Sequence, residues 1–256
     1  MEILRTIFIV GTAGSGKSTF TASFSEWLKD NEQTVATVNL DPAAISLPYE
    51  PDIDVRDIVD YERIMATRGL GPNAALIASV REVAKNIELI SDQLKELDLD
   101  YALIDTPGQL ELFAFRKEGK IIAKELSIDR SALIYLVDPT LALTTKNFAS
   151  TLFLATSVYL SFSLPTVLVV SKIDIVPKKY LRRISRWISS EEAFEVEVEN
   201  KGRGVQMLIT REVARLVYEI GQSFPCVMVS AKTLQGMSEL HLVTTRILGE
   251  GEDEMR

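Results

Sequence analysis

The run Gly11-Thr12-Ala13-Gly14-Ser15-Gly16-Lys17-Ser18, with Thr19 directly behind it, follows an apolar stretch from Leu4 to Val10 and opens a segment with helical spacing from Ser18 to Lys29. Glycine, four residues, glycine, lysine and serine at a strand-to-helix junction is the pattern of a phosphate-cradling loop. The glycines let the backbone curl so that successive N–H groups converge, the helix N-terminus adds the positive end of its dipole, and Lys17 brings a mobile charge for the β and γ phosphates of a nucleotide. Ser18 is placed to put its hydroxyl on Mg²⁺.

The rest of the chain repeats that strand-then-helix rhythm. Short runs rich in isoleucine and valine recur at Leu4–Val10, Thr34–Leu40, Tyr101–Ile104, Ala132–Val137, Thr166–Val170 and Cys226–Val229, and longer segments with helical spacing lie at Ala74–Glu96 and Val205–Ile220. This alternation predicts a doubly wound α/β fold: a three-layer P-loop NTPase with a mostly parallel sheet and helices on both faces. Residues 1–248 read as a single domain carrying a long crossover insertion at about 41–73, and residues 249–256 as a short acidic tail. A crossover of some sixty residues between the second and third of these strands exceeds what compact domains need, and such excess is commonly functional. A second interruption is expected at the charged stretch Ser190–Gly204.

Composition narrows the classes of function. With 46% hydrophobic and 25% charged residues the chain has the make-up of a packed globular protein, and a net charge of −8 disfavours direct nucleic-acid binding. Residues 147–171 carry no charge and are long enough to cross a bilayer, but Ser and Thr residues and Pro165 interrupt them. They divide better into an apolar helix to about Phe162 and a buried strand, so no membrane partner is expected. One cysteine, Cys226, and one histidine, His241, cannot assemble a Cys/His metal centre. Cys226 reads as a buried small hydrophobe and His241 as structural or exposed. With no secretory leader, a cytoplasmic location is expected.

Two further constellations belong with the phosphate loop. The strand Tyr101-Ala102-Leu103-Ile104 ends in Asp105 and continues Thr106-Pro107-Gly108-Gln109. A carboxylate at the end of a hydrophobic strand beside a phosphate loop is where a magnesium shell needs an acceptor, Gly108 lets a backbone N–H approach the γ-phosphate, and Gln109 is placed to orient an attacking water. Near the ends of two later strands stand Ser171-Lys172-Ile173-Asp174 and Ser230-Ala231-Lys232. They correspond to the base-reading elements of GTPases: the Asp174 carboxylate accepts from guanine N1 and N2, the Lys172 stem packs on the base plane, and the backbone at Ser230 and Ala231 meets O6. Adenine leaves such a carboxylate unpaired, at a cost on the order of 1–3 kcal/mol. Ser171 stands where asparagine is usual, and its shorter reach is expected to weaken the bracing of the base loop.

Taken in order, the phosphate loop, Asp41-Pro42-Ala43, Gly71-Pro72-Asn73, the Asp105–Gln109 run and Ser171–Asp174 resemble the GPN-loop GTPases, in particular an archaeal member, over essentially the whole chain. The resemblance implies a homodimer in which the Gly-Pro-Asn loop of each copy reaches the partner's γ-phosphate, so that Asn73 acts in trans. It implies that Asp41 lies in the first switch near the magnesium water shell, and that Gln109 and Glu111 flank the attacking water. Ala74-Ala75 replace the glycines that often follow the asparagine. The same resemblance implies hydrolysis of GTP to GDP and phosphate as a switch acting on a protein client, with RNA polymerase assembly as the family-level suggestion. A metal-insertion GTPase lacks its cargo ligands here, a phosphotransferase needs an arginine-rich lid that Arg182, Arg183 and Arg186 more simply explain as a solvated helix face, and a GTP-binding scaffold with little hydrolysis is the remaining alternative.

Overall fold

The computed structural model describes residues 3–199 and 205–249 of the 256. They run β1 (Arg5–Gly11), α1 (Lys17–Asp30), β2 (Val35–Asn39), β3 (Ile53–Asp54), α2 (Tyr61–Thr67), α3 (Pro72–Lys85), α4 (Ile87–Glu96), β4 (Tyr101–Asp105), α5 (Leu110–Ala114), α6 (Lys117–Leu126), β5 (Arg130–Val137), α7 (Thr145–Phe162), β6 (Thr166–Val170), α8 (Lys178–Ser189), α9 (Glu191–Glu199), α10 (Val205–Ser223), β7 (Cys226–Met228) and α11 (Met237–Gly249), with a short 3₁₀ turn at Val55–Asp57.

The strands form one seven-stranded sheet in the order β3-β2-β4-β1-β5-β6-β7, and each described pairing is parallel. Side-chain alternation along the strands builds two cores. Phe8 and Val10 of β1, Ala102 and Ile104 of β4, and Leu133, Tyr135 and Val137 of β5 face a layer that includes α3, α4, α6 and α7. Ile7, Ile9, Leu103, Ile134 and Leu136 face α1 and α11 through Phe20, Phe24, Leu28, Met237 and Leu240. Strands buried on both faces are what near-continuous apolar runs predict. β1 sits at the centre, with β3, β2 and β4 on one side and β5 to β7 on the other. The crevice at its carboxyl end is therefore the topological switch point where doubly wound sheets hold ligands.

Several expectations need correction. The helical stretch expected at Ala74–Glu96 begins at Pro72 and is two helices broken at Asn86, which leaves helical geometry at φ −108° and closes the end of α3 by donating its N–H to the Val83 carbonyl. The crossover contributes the edge strand β3, a 3₁₀ turn and α2, and the Gly-Pro-Asn segment is the start of a helix, with Pro72 in the first turn of α3, where a missing N–H costs nothing. In the stretch Ser190–Gly204, Glu191–Glu199 are helical because Phe194 buries against Trp187 and Phe148; residues 200–204 lie outside the described residues. Residues 250–256 of the acidic tail also lie outside them, while Gly249 ends α11.

Arg183 does not face solvent alone: it stacks 4.7 Å over the Trp187 ring and pairs with Glu197, while Arg182 and Arg186 are exposed. Cys226 is only partly buried, though desolvation still pushes its thiol up to about 12. His241 bonds the Tyr101 hydroxyl at 3.1 Å and packs on Trp27. Among the described residues no helix is long and apolar enough to cross a membrane.

Candidate functional site

The phosphate loop closes on itself. Ser15 N–H donates to the Thr12 carbonyl at 3.1 Å, and Gly16 enters α1 with φ 92°, a left-handed geometry that a side chain would strain. Gly11 is required for space: a Cβ there would lie 2.6 Å from Ser15 Oγ and 2.8 Å from the Leu136 carbonyl. Lys17, 6% exposed, donates its ammonium to the carbonyls of Gly11 (3.1 Å) and Thr12 (3.3 Å). Burial lowers its pKa, and the carboxylates of Asp105 and Asp41 oppose that shift. Thr12, Ala13, Gly14, Ser18 and Thr19 complete the rim at intermediate or full exposure.

The second wall is the segment after β4. Thr106 anchors it by donating to the Ile9 carbonyl at 2.7 Å, and Gly108 N–H donates to Asp41 Oδ2 at 3.0 Å. The other Asp41 oxygen accepts from Ala43 N–H at 3.0 Å, so Asp41 joins the start of the crossover to the Asp-Thr-Pro-Gly strap. Asn39 holds Asp41 in turn, and donates to Asp54, whose carboxylate forks with Arg56; Arg56 then reaches the Ala44 carbonyl at 3.0 Å. Asn39, Asp54 and Arg56 therefore shape the segment that carries Asp41, although only Asp41 carried a sequence signal.

Asp105 lies at the floor, 2% exposed. Burial pushes its carboxyl up to about 6, against hydrogen bonds from Ser18 and Tyr49 and the charge of Lys17. Tyr49 Oη donates to Oδ2 at 3.1 Å, while Oδ1 has no partner among the described residues. Burial, with the Asp105 charge next, moves the Tyr49 phenol upward, so it stays a neutral donor. An orphaned buried carboxylate oxygen with the Ser18 hydroxyl nearby is the hard oxygen donor set that suits Mg²⁺. A cavity of about 310 Å³ is lined by Gly16, Lys17, Ser18, Asp41, Thr106 and Gly108, together with Ala44, Ser46 and Leu47 of the crossover.

Gln109 caps α5, and its amide donates to Asn73 Oδ1 across 3.4 Å within the same chain. Gly71, Pro72, Asn73 and Ala74 are all exposed. Glu111 is exposed in the first turn of α5.

At the other end of the loop, the base elements converge. Lys172, at φ 52°, lays its side chain across the phosphate loop, donating to the Gly14 carbonyl and to Asp138 Oδ2 at 2.8 Å. Asp138 is buried, which alone raises its pKa, but bonds from Lys172 and Thr140 outweigh this and hold it below the usual carboxylate range. Asp138 was missed in the sequence, although it directly follows β5 much as Asp105 ends β4. Ser230 Oγ donates to Asp174 Oδ1 at 2.7 Å and accepts from Thr233 N–H at 3.1 Å, while Asp174 stays exposed beside Ala231 and Lys232. The expected weakness at Ser171 is not found. Buried at 5% exposure, its hydroxyl lies 3.0 Å from the Ser15 carbonyl and 3.2 Å from that of Val137, so proximity replaces the reach of an amide.

Comparison with known proteins gives the same reading. Residues 9–250 match a family model described as a conserved hypothetical ATP binding protein. The chain is 33% identical to a GPN-loop GTPase of Pyrococcus abyssi over 91% of its own length and 93% of that protein's, and 31% identical to GPN-loop GTPase 1 of Dictyostelium discoideum, of which it spans 59%. It is also similar to the crystal structure of a GTPase in apo form from Pyrococcus abyssi, with a TM-score of 0.84 and 30% identity, covering 94% of this chain and 96% of that one. The model's description speaks of ATP, whereas these relatives are named for GTP, and a braced carboxylate at Asp174 fits guanine. The phosphate loop, the Asp105 strap, the base elements and the Gly-Pro-Asn helix start thus stand together in a chain that belongs to the GPN-loop GTPases, a family of GTP hydrolases.

Proposed function

We propose that this chain is a magnesium-dependent GTPase that works as a homodimer in the cytoplasm and uses GTP and GDP states to act on a protein client, with assembly of a large complex such as RNA polymerase as the candidate process. The observation that carries guanine selectivity is the Asp174–Ser230 bond at 2.7 Å. It fixes one oxygen of an exposed carboxylate and leaves the other for a base that presents two donors.

Hydrolysis in this site is a matter of placing charges and a water. Magnesium, held by Ser18 and Asp105 with Asp41 near its water shell, would supply charge neutralisation at the phosphates. Lys17 contributes the protein's own cation, and Gln109 is placed to hold a water. The bond between Gly108 N–H and Asp41 supplies the switch: a phosphate that recruits that N–H must displace the carboxylate and so moves the crossover. The exposed start of α3 is available to a second copy, which supports Asn73 acting across a dimer. A neutral amide offers less charge than an arginine, so slow turnover is expected.

Phosphate release from GTP or ATP with magnesium, recorded alongside mass by light scattering, tests the reading. GTP-selective release from a dimer supports it; ATP-selective release or a strict monomer overturns it.

A further inference from the structure

The two oxygens of Asp105 are treated unequally. Oδ2 accepts from Tyr49 Oη at 3.1 Å and Oδ1 is buried with no partner among the described residues. A carboxylate on the last residue of a strand can still turn about its two side-chain torsions, and a hydrogen bond to one oxygen decides which oxygen is left over. Ser18, the other candidate for the metal, is near enough to the same carboxylate to favour its charged form. Tyr49 comes from the crossover, between the cavity-lining Ala44, Ser46 and Leu47 and the Asp54–Arg56 fork. The phenol thus reaches the floor of the site from a segment that is otherwise part of its wall.

We propose that Tyr49 is a positioning residue for the magnesium site: its hydroxyl holds Asp105 by one oxygen so that the unpartnered one stays free for the metal or its water. The inference rests on the magnesium-dependent reading above. Its signature is a coupling between a phenol that does not touch the metal and the concentration of metal the site requires.

The test is a magnesium titration of fluorescent GDP binding to the full chain, with a parallel measurement in excess chelator. In Tyr49→Phe, which removes one oxygen and keeps the ring, the magnesium midpoint should rise about tenfold while affinity in chelator stays within twofold of wild type. In an Asp105→Asn background the same change should add less than twofold, because the group it positions has lost its charge. An unchanged midpoint, an equal loss of affinity in chelator, or a full tenfold effect on top of Asp105→Asn each overturns the proposal. Wild-type protein that binds GDP without any magnesium dependence also overturns it and leaves guanine binding standing; failure to bind GDP at all sinks the functional reading instead.

Discussion

Ser171 Oγ lies 3.0 Å from the carbonyl of Ser15, so the segment that carries Asp174 is pinned to the loop that carries Lys17. On the proposed reading, base and phosphate recognition are mechanically one unit. Ser171→Ala removes a buried hydrogen bond worth about 1 kcal/mol. GDP should dissociate about fivefold faster by stopped-flow fluorescence, with guanine selectivity intact because Asp174 keeps its bond to Ser230.

Lys17 spends its charge on two backbone carbonyls of its own loop, a partnership that a phosphate replaces with something stronger. Lys17→Ala should weaken GTP binding by at least a hundredfold, about 3 kcal/mol, in calorimetry. Unchanged affinity would show that the nucleotide sits elsewhere.

Asp174→Asn replaces an acceptor that serves two guanine donors with a group that can serve only one well. The ratio of GTP to ATP affinity should fall by at least tenfold, read by competition against a fluorescent guanine nucleotide. If the ratio holds, base selection lies outside the Ser171–Asp174 and Ser230–Lys232 elements.

Asn73 meets Gln109 within one chain, yet the start of α3 is open to a second copy, and mixing variants separates the two possibilities. Asn73→Ala should lower the single-turnover rate at least tenfold. When it is mixed with Lys17→Ala protein, activity should return to the dimer site that combines an intact phosphate loop with the partner's intact asparagine. Mixtures no faster than the separate variants would place Asn73 in its own site.

Asp105 sets a pH dependence. Its folded pKa, about 6, lies above the ordinary value of 3.8, so the folded protein binds the proton more tightly than the unfolded chain between those values. Stability of protein without nucleotide or metal should therefore fall as pH rises from about 4 to above 6 through this group. Asp105→Asn should stabilise the fold at pH 7.5 by about 3 kcal/mol, read as a higher melting point, and the gain should vanish near pH 3.5. A gain independent of pH would assign the effect to packing.

The frame was legible because its strands are buried on both faces. Ile7, Phe8, Ile9 and Val10 leave no reading except a central parallel strand, and the glycine spacing behind them dictates a phosphate-binding turn into a helix. Residues whose role lies in a partner distant in sequence were not legible. Tyr49 is an ordinary tyrosine until the chain brings Asp105, fifty-six positions on, beneath it. Asp138 lies thirty-four positions from Lys172. β3 is two residues long and has no periodicity to detect, and the charge of α9 hid the packing of its Phe194 against Trp187.

The lengths of the outermost strands carry a last consequence. β3 offers two residues at one margin of the sheet and β7 three at the other, and Asp54 of β3 is tied back by its fork with Arg56. Among the described residues, each margin presents only a short ladder to a neighbouring strand, a feature that disfavours edge-to-edge aggregation. Among the described residues the same shortness gives a second copy little outer strand on which to extend the sheet. A pairing made instead by helix and loop surfaces could be remade each time those loops change shape.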